Sequence, residues 1–185
     1  MINSTTSRGI PASTTADVDA VLPFHFESDV ELNASADAVF MLLDDHGRLS
    51  ARMTKPSWMM AGSVMTLEFD ASKGRAVGAF IRLTGRVLGI PISVEEDVTE
   101  RNPPFCKVWN TIGKPRLMVI GSYRMGYEIT AKSPSSHLHV FIDYAMQDGL
   151  FSYWLGRLFG NTYARWCSQR MTNDAAIHFK ERFSG

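Results

Sequence analysis

Apolar and polar residues alternate over much of the chain, beginning at Phe24, where every second residue as far as Leu32 is apolar or small. A period of two places successive side chains on opposite faces of a β-strand, so each such segment predicts a strand with one buried face. Further segments of this kind cover residues 63–70, 77–87, 90–100, 105–111, 117–130 and 138–146. Turn-forming residues at 72–74, 89–91, 102–104, 113–115 and 132–136 are predicted to separate them.

Two short helices are predicted between the first and second strands. Ser35 is suited to cap a helix over residues 36–47, with Val39 and Phe40 on its inner side and Gly47 at its end. A second short helical segment is predicted over residues 48–53. The order of elements is therefore strand, two short helices, six strands and a final helix.

The last helix is predicted over residues 152–183, which contain no proline. Residues recurring at three- and four-residue steps predict the side that faces the rest of the protein. They are Leu155, Leu158, Phe159, Thr162, Trp166, Gln169, Asn173 and Ile177, with a flank of Gly156, Gly160, Tyr163 and Cys167. The opposite, wet side is predicted to hold Arg157, Asn161, Arg165, Ser168 and Thr172.

A long helix with a broad apolar side requires a large apolar partner, and the strands supply one. Sequential strands joined by short turns form an antiparallel meander, with all helices on one face. The sequence thus predicts an α+β fold in which a curved antiparallel sheet of six to seven strands wraps around the C-terminal helix.

Length and composition are typical of one globular domain, since the chain has 185 residues and 45% of them are apolar. Residues 1–22 are rich in Ser, Thr and Ala and lack any period, which predicts a flexible tail before a domain over residues 23–185. No apolar run predicts a transmembrane helix or a secretory signal, and two widely spaced cysteines fit a reducing compartment, so we expect a cytoplasmic protein.

Charge and motifs exclude several classes of function. Lys plus Arg equals Asp plus Glu at 19 each, so the net charge is zero and argues against nucleic acid as a partner. The chain contains neither phosphate-binding nor dinucleotide-binding glycine motifs, no nucleophile elbow and no zinc-type histidine pair. No metal or cofactor is therefore expected. The oligomeric state is not specified by these features.

Three segments resemble the SRPBCC superfamily, which includes START lipid-transfer domains, birch-pollen-allergen-like proteins and polyketide cyclases or dehydrases. The segments are VELNASADAVFMLLDD, GRVLGIPISVEEDVTERNPPFCKVW and WLGRLFGNTYARW. The resemblance extends over about residues 24–183. It implies a helix-grip fold with a cavity between the sheet and the C-terminal helix, which holds an apolar small molecule or a lipid. It implies no superfamily-wide catalytic motif.

The predicted inner face offers an aromatic and apolar lining with a few polar groups, as in many small-molecule pockets. The ligand-binding candidates on strands are Trp109, Tyr123, Met125, Tyr127 and Tyr144, and those on the last helix are Phe159, Tyr163, Trp166, Arg170 and Asn173. The alternative is that these side chains fill a solid core. Three inward tyrosines favour a polar ligand atom or water, because buried phenols need hydrogen-bond partners.

Glu96 is the candidate catalytic residue, because it has the same strand parity as Val94 and Val98 and should face the interior. A buried carboxylate must find a cation, be hydrogen-bonded or become protonated. It could accept a proton from a C–H bond or bind a ligand hydroxyl. Two structural alternatives remain open at this point: a β-bulge that turns Glu96 outward, or an ion pair with Arg170.

Three functions are compatible with this pattern. The first is binding or carriage of an apolar or aromatic small molecule, such as a lipid, a quinone or a polyketide-like compound. The second is an enzyme of the cyclase/dehydrase type, with Glu96 and the cavity tyrosines as acid–base groups. The third is a protein-interaction module without a ligand. Binding is favoured over catalysis because no catalytic constellation is apparent.

Overall fold

The computed structural model describes residues 21–45, 64–87, 89–147 and 150–182. Most of the predicted tail and the whole of the predicted second short helix lie outside the described residues. The described elements are β1 (Phe24–Leu32), α1 (Ala36–Leu43), β2 (Val64–Phe69), β3 (Phe80–Val87), β4 (Ile90–Asn102), β5 (Cys106–Arg116), β6 (Ile120–Lys132), β7 (Ser135–Met146) and α2 (Leu150–Arg182).

All seven strands form one antiparallel sheet in the order β1-β7-β6-β5-β4-β3-β2. The order follows the chain from β2 to β7, as expected for a meander, and β1 then pairs with β7. The helix α2 packs against β1 and β7, and α1 packs against β6, β7 and α2. The predicted α+β helix-grip architecture is confirmed.

Alternation correctly predicts which face of most strands is buried. Along β7, Leu138, Val140, Ile142 and Tyr144 are all at most 2% exposed, and along β6, Met125, Tyr127 and Ile129 are at most 5% exposed. The strand β5, whose inner face the sequence leaves open, turns Lys107 and Trp109 inward.

Several strand limits differ from the prediction, and those of β5 and β3 differ most clearly. Gly113 adopts a φ of 63°, which glycine tolerates, and β5 continues past it to Arg116 instead of turning there. Val77 is exposed and precedes β3, which begins at Phe80. Both errors arise because a glycine or a valine signals a local preference that pairing with neighbouring strands can override.

The buried side of α2 also differs from the prediction. Most of the buried side chains are small or medium, namely Ala164, Cys167, Ser168, Met171, Thr172 and Ala175, with Phe179 as a large exception. Phe159, Thr162, Asn173 and Ile177 are exposed. The prediction followed the large side chains. Close approach to β1 instead favours small ones, and the Thr172 hydroxyl lies 3.1 Å from that of Ser28. The same hydroxyl also donates to the Gln169 carbonyl at 3.2 Å, so its burial leaves it bonded.

A buried ion cluster fixes the end of α1 to the sheet. Ser35 caps the start of the helix, accepting a hydrogen bond from the backbone N–H of Ala38 at 3.3 Å. At the other end, Asp44 receives two hydrogen bonds from Arg101, at 2.8 and 3.1 Å, and one from Lys107 at 2.9 Å. Lys107 is fully buried. Burial opposes ionisation of Asp44, but the two cations outweigh it and keep its pKa below the ordinary value.

Within the described part of the chain, neither helix has both the length and the hydropathy that crossing a bilayer requires.

Candidate functional site

One row of inward-facing residues crosses the sheet from edge to edge. Glu96 on β4 pairs with Ile81 on β3 and with Thr111 on β5, and Tyr123 on β6 pairs with Tyr144 on β7. The row therefore places a carboxyl group and a phenol near the centre of the inner face of the sheet.

Thr111 positions Tyr123. The regular β5–β6 ladder ends at the pair of Asn110 and Arg124. One residue further on, the Thr111 hydroxyl accepts a hydrogen bond from the Tyr123 N–H at 3.1 Å and donates to the Tyr123 carbonyl at 3.3 Å. A side-chain hydroxyl thus replaces the missing backbone partners, which holds the tyrosine in register although the ladder has ended.

Glu96 faces the interior, and the Tyr123 hydroxyl donates a hydrogen bond to its Oε1. The irregularities of the β4–β5 pairing lie on either side of Glu96, between Ser93 and Glu95 and between Val98 and Glu100, and do not turn it outward. Arg170 lies 3.4 Å from Asp174 on its own helix. Neither structural alternative for Glu96 therefore holds, and a phenol takes the place of the expected cation.

The Glu96 carboxyl has an unusual affinity for its proton. Burial raises its pKa from 4.5 to about 7, although the Tyr123 hydrogen bond and the charge of Lys107 act in the opposite direction. The side chain nevertheless keeps an intermediate exposure. Glu96 therefore lies in the protein interior without being fully covered by its neighbours.

Two groups on α2 complete the cluster around Glu96. Tyr163 and Cys167 are one helical turn apart and close enough for each to affect the pKa of the other. The charge of Cys167, burial and Glu96 together raise the pKa of Tyr163, and burial raises the pKa of Cys167 to about 12. We refer to Glu96, Tyr123, Tyr163 and Cys167 as the interior polar cluster.

Apolar residues enclose the interior polar cluster on two sides. A large cluster joins both helices to β1, β5, β6 and β7, and Tyr123 and Tyr163 pack against it. A second, separate cluster consists of Ala79, Ile81 and Val98, with Leu67 and Phe69 beside it. Ile81 is the strand partner of Glu96. Glu96 therefore lies between the two described clusters, with Ile81 on one side and Tyr123 on the other, whereas Cys167 is itself part of the large cluster.

The remaining predicted site residues fall into three groups. Trp109, Met125, Tyr127 and Tyr144 are inward and almost completely enclosed, and Trp166 is partly buried against the large apolar cluster. Phe159 and Asn173 are exposed, so their predicted place in the cavity wall is wrong, for the reason given for α2. Arg170 is partly buried in its ion pair with Asp174. Ligand contact by the inward residues stays a prediction.

The predicted convergence of three phenols is only partly observed. Tyr123 reaches Glu96, whereas Tyr127 packs edge-on between Phe40 and Trp109, and Asp44 and Arg101 are the charges that affect it most. Among the described residues, nothing bonds the Tyr127 hydroxyl. Tyr144 stacks on Phe24, with ring centroids 5.4 Å apart. Tyr163 is therefore the second phenol near Glu96.

Cys167 is the functional candidate that sequence reasoning missed. Its position four residues after Tyr163 is the available signal, since such pairs lie on one side of a helix. A lone cysteine in an apolar sequence context, however, is typical of ordinary core packing.

The described residues offer acid–base chemistry and polar ligand contacts. No group of three or more His, Cys, Asp or Glu side chains among them is arranged to hold a metal ion. A carboxyl with a pKa near 7 can both release and accept a proton near neutral pH. Its phenol neighbour is a hydrogen-bond donor that keeps its own proton, because burial and Glu96 raise the Tyr123 pKa well above 10.

Known structures with the same architecture include an aromatase/cyclase and norcoclaurine synthase. The aromatase/cyclase Zhui from Streptomyces sp. R1128 is similar, with a TM-score of 0.63 and 14% identity over 86% of this chain and 95% of that one. Norcoclaurine synthase from Thalictrum flavum has a TM-score of 0.57 and 14% identity over 83% and 90% of the two chains. Ara h 8.0201 has a TM-score of 0.54 and 8% identity over 82% of this chain and 97% of that one.

The chain has the helix-grip fold that these structures share. No protein-family model matches the sequence, and no curated protein sequence matches it either. At such low identities the likeness to solved structures extends to the helix-grip fold alone, so any function must be argued from the interior polar cluster.

Glu96→Gln is expected to stabilise the protein above neutral pH. Folding raises the Glu96 pKa, so the folded state must bury a charge above about pH 7, whereas the unfolded chain ionises freely above 4.5. The amide removes this cost, on the order of 3 kcal/mol at pH 8. The gain should shrink as pH falls from 7 to 4.5 and vanish below that range.

Urea denaturation at pH 8 and pH 4.5 measures this difference. Glu95→Gln is the matched control, because Glu95 is the preceding residue, is partly exposed and bonds Arg82 at the surface. The interpretation is contradicted if Glu96→Gln destabilises the protein equally at both pH values.

Proposed function

We propose that this protein binds an apolar or aromatic small molecule between the inner face of the sheet and α2, with its polar part at Glu96 and Tyr123. The observation that carries the proposal is the state of Glu96, which is deep enough to hold its proton to about pH 7 and is still partly accessible. A closed core would leave no accessible surface there.

The division of the apolar core supports the same proposal. Protein interiors pack to a high density, and burying a carboxyl group in one costs free energy of folding. A carboxyl group that is kept there despite this cost is expected to have a function. The large apolar cluster and the Ala79, Ile81 and Val98 cluster provide apolar walls on two sides, and the interior polar cluster provides orienting groups between them. This is the usual make-up of a small-molecule pocket.

The similar structures are consistent with this proposal. An aromatase/cyclase and norcoclaurine synthase both share the fold, and one structure of the latter is described as a complex with a transition-state analogue. Such names describe those proteins. For this chain they support a ligand between sheet and helix and leave open whether a lipid, a quinone or a polyketide-like compound occupies it.

Binding can be tested with the neutral fluorescent probe N-phenyl-1-naphthylamine and by native mass spectrometry of the purified protein. We expect saturable probe binding, and Tyr163→Ala should weaken it about tenfold because it removes an inward aromatic contact. Phe159→Ala, at an exposed position one turn earlier on α2, should leave the affinity unchanged.

Absence of probe binding, together with a native mass equal to that of the chain alone, would contradict the proposed pocket. Equal loss of affinity in both variants would also contradict it, since only Tyr163 belongs to the interior polar cluster. Thermal unfolding of each variant shows whether a lost affinity reflects a lost fold.

A second candidate function is acid–base catalysis, favoured by the Glu96 pKa of about 7 and by the hydrogen bond from Tyr123. The ionised carboxylate would remove a proton from an activated C–H bond, and the phenol would donate a hydrogen bond. Cyclisation and dehydration reactions of polyketide-like compounds require such proton transfers. Tyr127 and Tyr144 do not take part in this version of the proposal.

The base can be tested without knowing the substrate. Opening of 5-nitrobenzisoxazole needs only removal of its C–H proton, which passes to the base as the ring N–O bond breaks. We expect a rate that rises with pH through about 7 and is lost in Glu96→Gln. Glu96 would be ruled out as the base if the rate is unaffected by Glu96→Gln or does not change with pH near 7. Neither result would contradict the binding proposal.

A further inference from the structure

The phenol that contacts Glu96 is already used as a hydrogen-bond donor. The Tyr123 hydroxyl donates to Glu96 Oε1, and Tyr163 and Cys167 lie close to each other on α2. Each phenol has a single O–H, and the thiol is a weak donor. When Glu96 is ionised, its carboxylate is therefore the main acceptor that the cluster offers to a ligand.

The second carboxylate oxygen of Glu96 is the strongest of these acceptors. Among the described residues, no group donates a hydrogen bond to Oε2, and the side chain is partly accessible. An ionised carboxylate can accept several hydrogen bonds, and leaving this capacity unused in an apolar setting is costly. The position therefore suits a donor that arrives with the ligand.

Among the residues that the structure describes, the groups near Glu96 do not donate to Oε2. From β3 the neighbour is Ile81, from β5 it is Thr111, whose hydroxyl is held by the Tyr123 backbone, and from α2 it is Tyr163, with Cys167 close to Tyr163. Lys107, also on β5, contributes a charge that lowers the Glu96 pKa. Its ammonium group is bonded to Asp44.

The place of Glu96 in the sheet also restricts the ligand. It lies in the middle of the row, with Ile81 and Phe69 on one side and the aromatic residues Tyr144 and Phe24 on the other. A ligand with an unbroken hydrocarbon chain would cover the carboxylate without pairing it. An anionic head group would add a like charge nearby. A ring compound with a hydroxyl group avoids both costs.

We infer that the ligand is an uncharged ring compound whose hydroxyl group donates to the Glu96 carboxylate, and that its binding expels the carboxyl proton. The inference rests on the proposed binding function and specifies its ligand class and its regulation by pH. No covalent bond is made or broken in the ligand; the proton leaves Glu96 for solvent and the ligand hydroxyl takes its place as a partner of the carboxyl group.

The direction of the pH dependence follows from this exchange. In the free protein, the Glu96 carboxyl group is about half protonated at pH 7. A hydrogen bond donated by the ligand favours the ionised carboxylate in the complex. Affinity should therefore rise with pH, by up to about thirtyfold between pH 5.5 and pH 8. A ligand that only accepts hydrogen bonds would pair with the protonated carboxyl, and its affinity would fall over the same range.

Two probes of similar size and shape separate these cases. We would titrate 1-naphthol and 1-methoxynaphthalene into the full chain at pH 5.5, 7 and 8, using calorimetry in two buffers of different ionisation enthalpy at pH 7. For 1-naphthol we expect higher affinity at high pH and release of about half a proton at pH 7. The methoxy compound, which lacks the donor, should bind more weakly at pH 8.

Variants assign the effect to the carboxyl group. Glu96→Gln should bind 1-naphthol with an affinity that no longer changes with pH, and Phe159→Ala should retain the full pH dependence. The inference is overturned if both probes bind equally at pH 8, if affinity rises toward low pH, or if Glu96→Gln retains the pH dependence. Failure of both probes and of N-phenyl-1-naphthylamine to bind would overturn the proposed function as well.

Discussion

A carboxyl group inside an apolar protein must either keep its proton or find a partner, and the arrangement around Glu96 follows from that constraint. The β4 strand turns Glu96 inward because the residues of the same parity build the core. The phenol of Tyr123 then supplies one hydrogen bond, and burial keeps the pKa near 7. Small changes in the surroundings of the Glu96 carboxyl group therefore decide whether it is neutral or charged near pH 7.

The fold creates this setting by bringing α2 close to one side of the sheet. Small residues such as Ala164, Ser168 and Ala175 allow the helix to pack against β1 and β7. Tyr163 lies on the same helix near Glu96, and Cys167 lies close to Tyr163. Elsewhere on the inner face, the ion cluster of Asp44, Arg101 and Lys107 anchors α1. In this cluster the Lys107 ammonium group is hydrogen-bonded to Asp44 and not to Glu96.

Strand parity was predictable because it depends on a strict period of two, and it correctly turned Glu96 and Tyr123 inward. The buried side of α2 was not predictable from the sequence. The helix packs mostly small residues against the sheet and leaves Phe159 and Ile177 exposed, although large apolar side chains are usually the buried ones. The hydrogen bond from Tyr123 to Glu96 could not be predicted either. It depends on which residues of separate strands face each other, and on the Thr111 hydroxyl that bonds the Tyr123 backbone where the regular β5–β6 pairing ends.

The central claim is that Glu96 is a protein-enclosed, partly accessible carboxyl group that changes charge near neutral pH. Carbon-13 NMR of the glutamate side-chain carboxyl groups, with the Glu96 signal assigned by its loss in Glu96→Gln, tests it directly. We predict a midpoint of about 7 for that signal. A midpoint near 4.5, the ordinary value for glutamate, would show that the carboxyl is solvated as at the surface and would contradict the account.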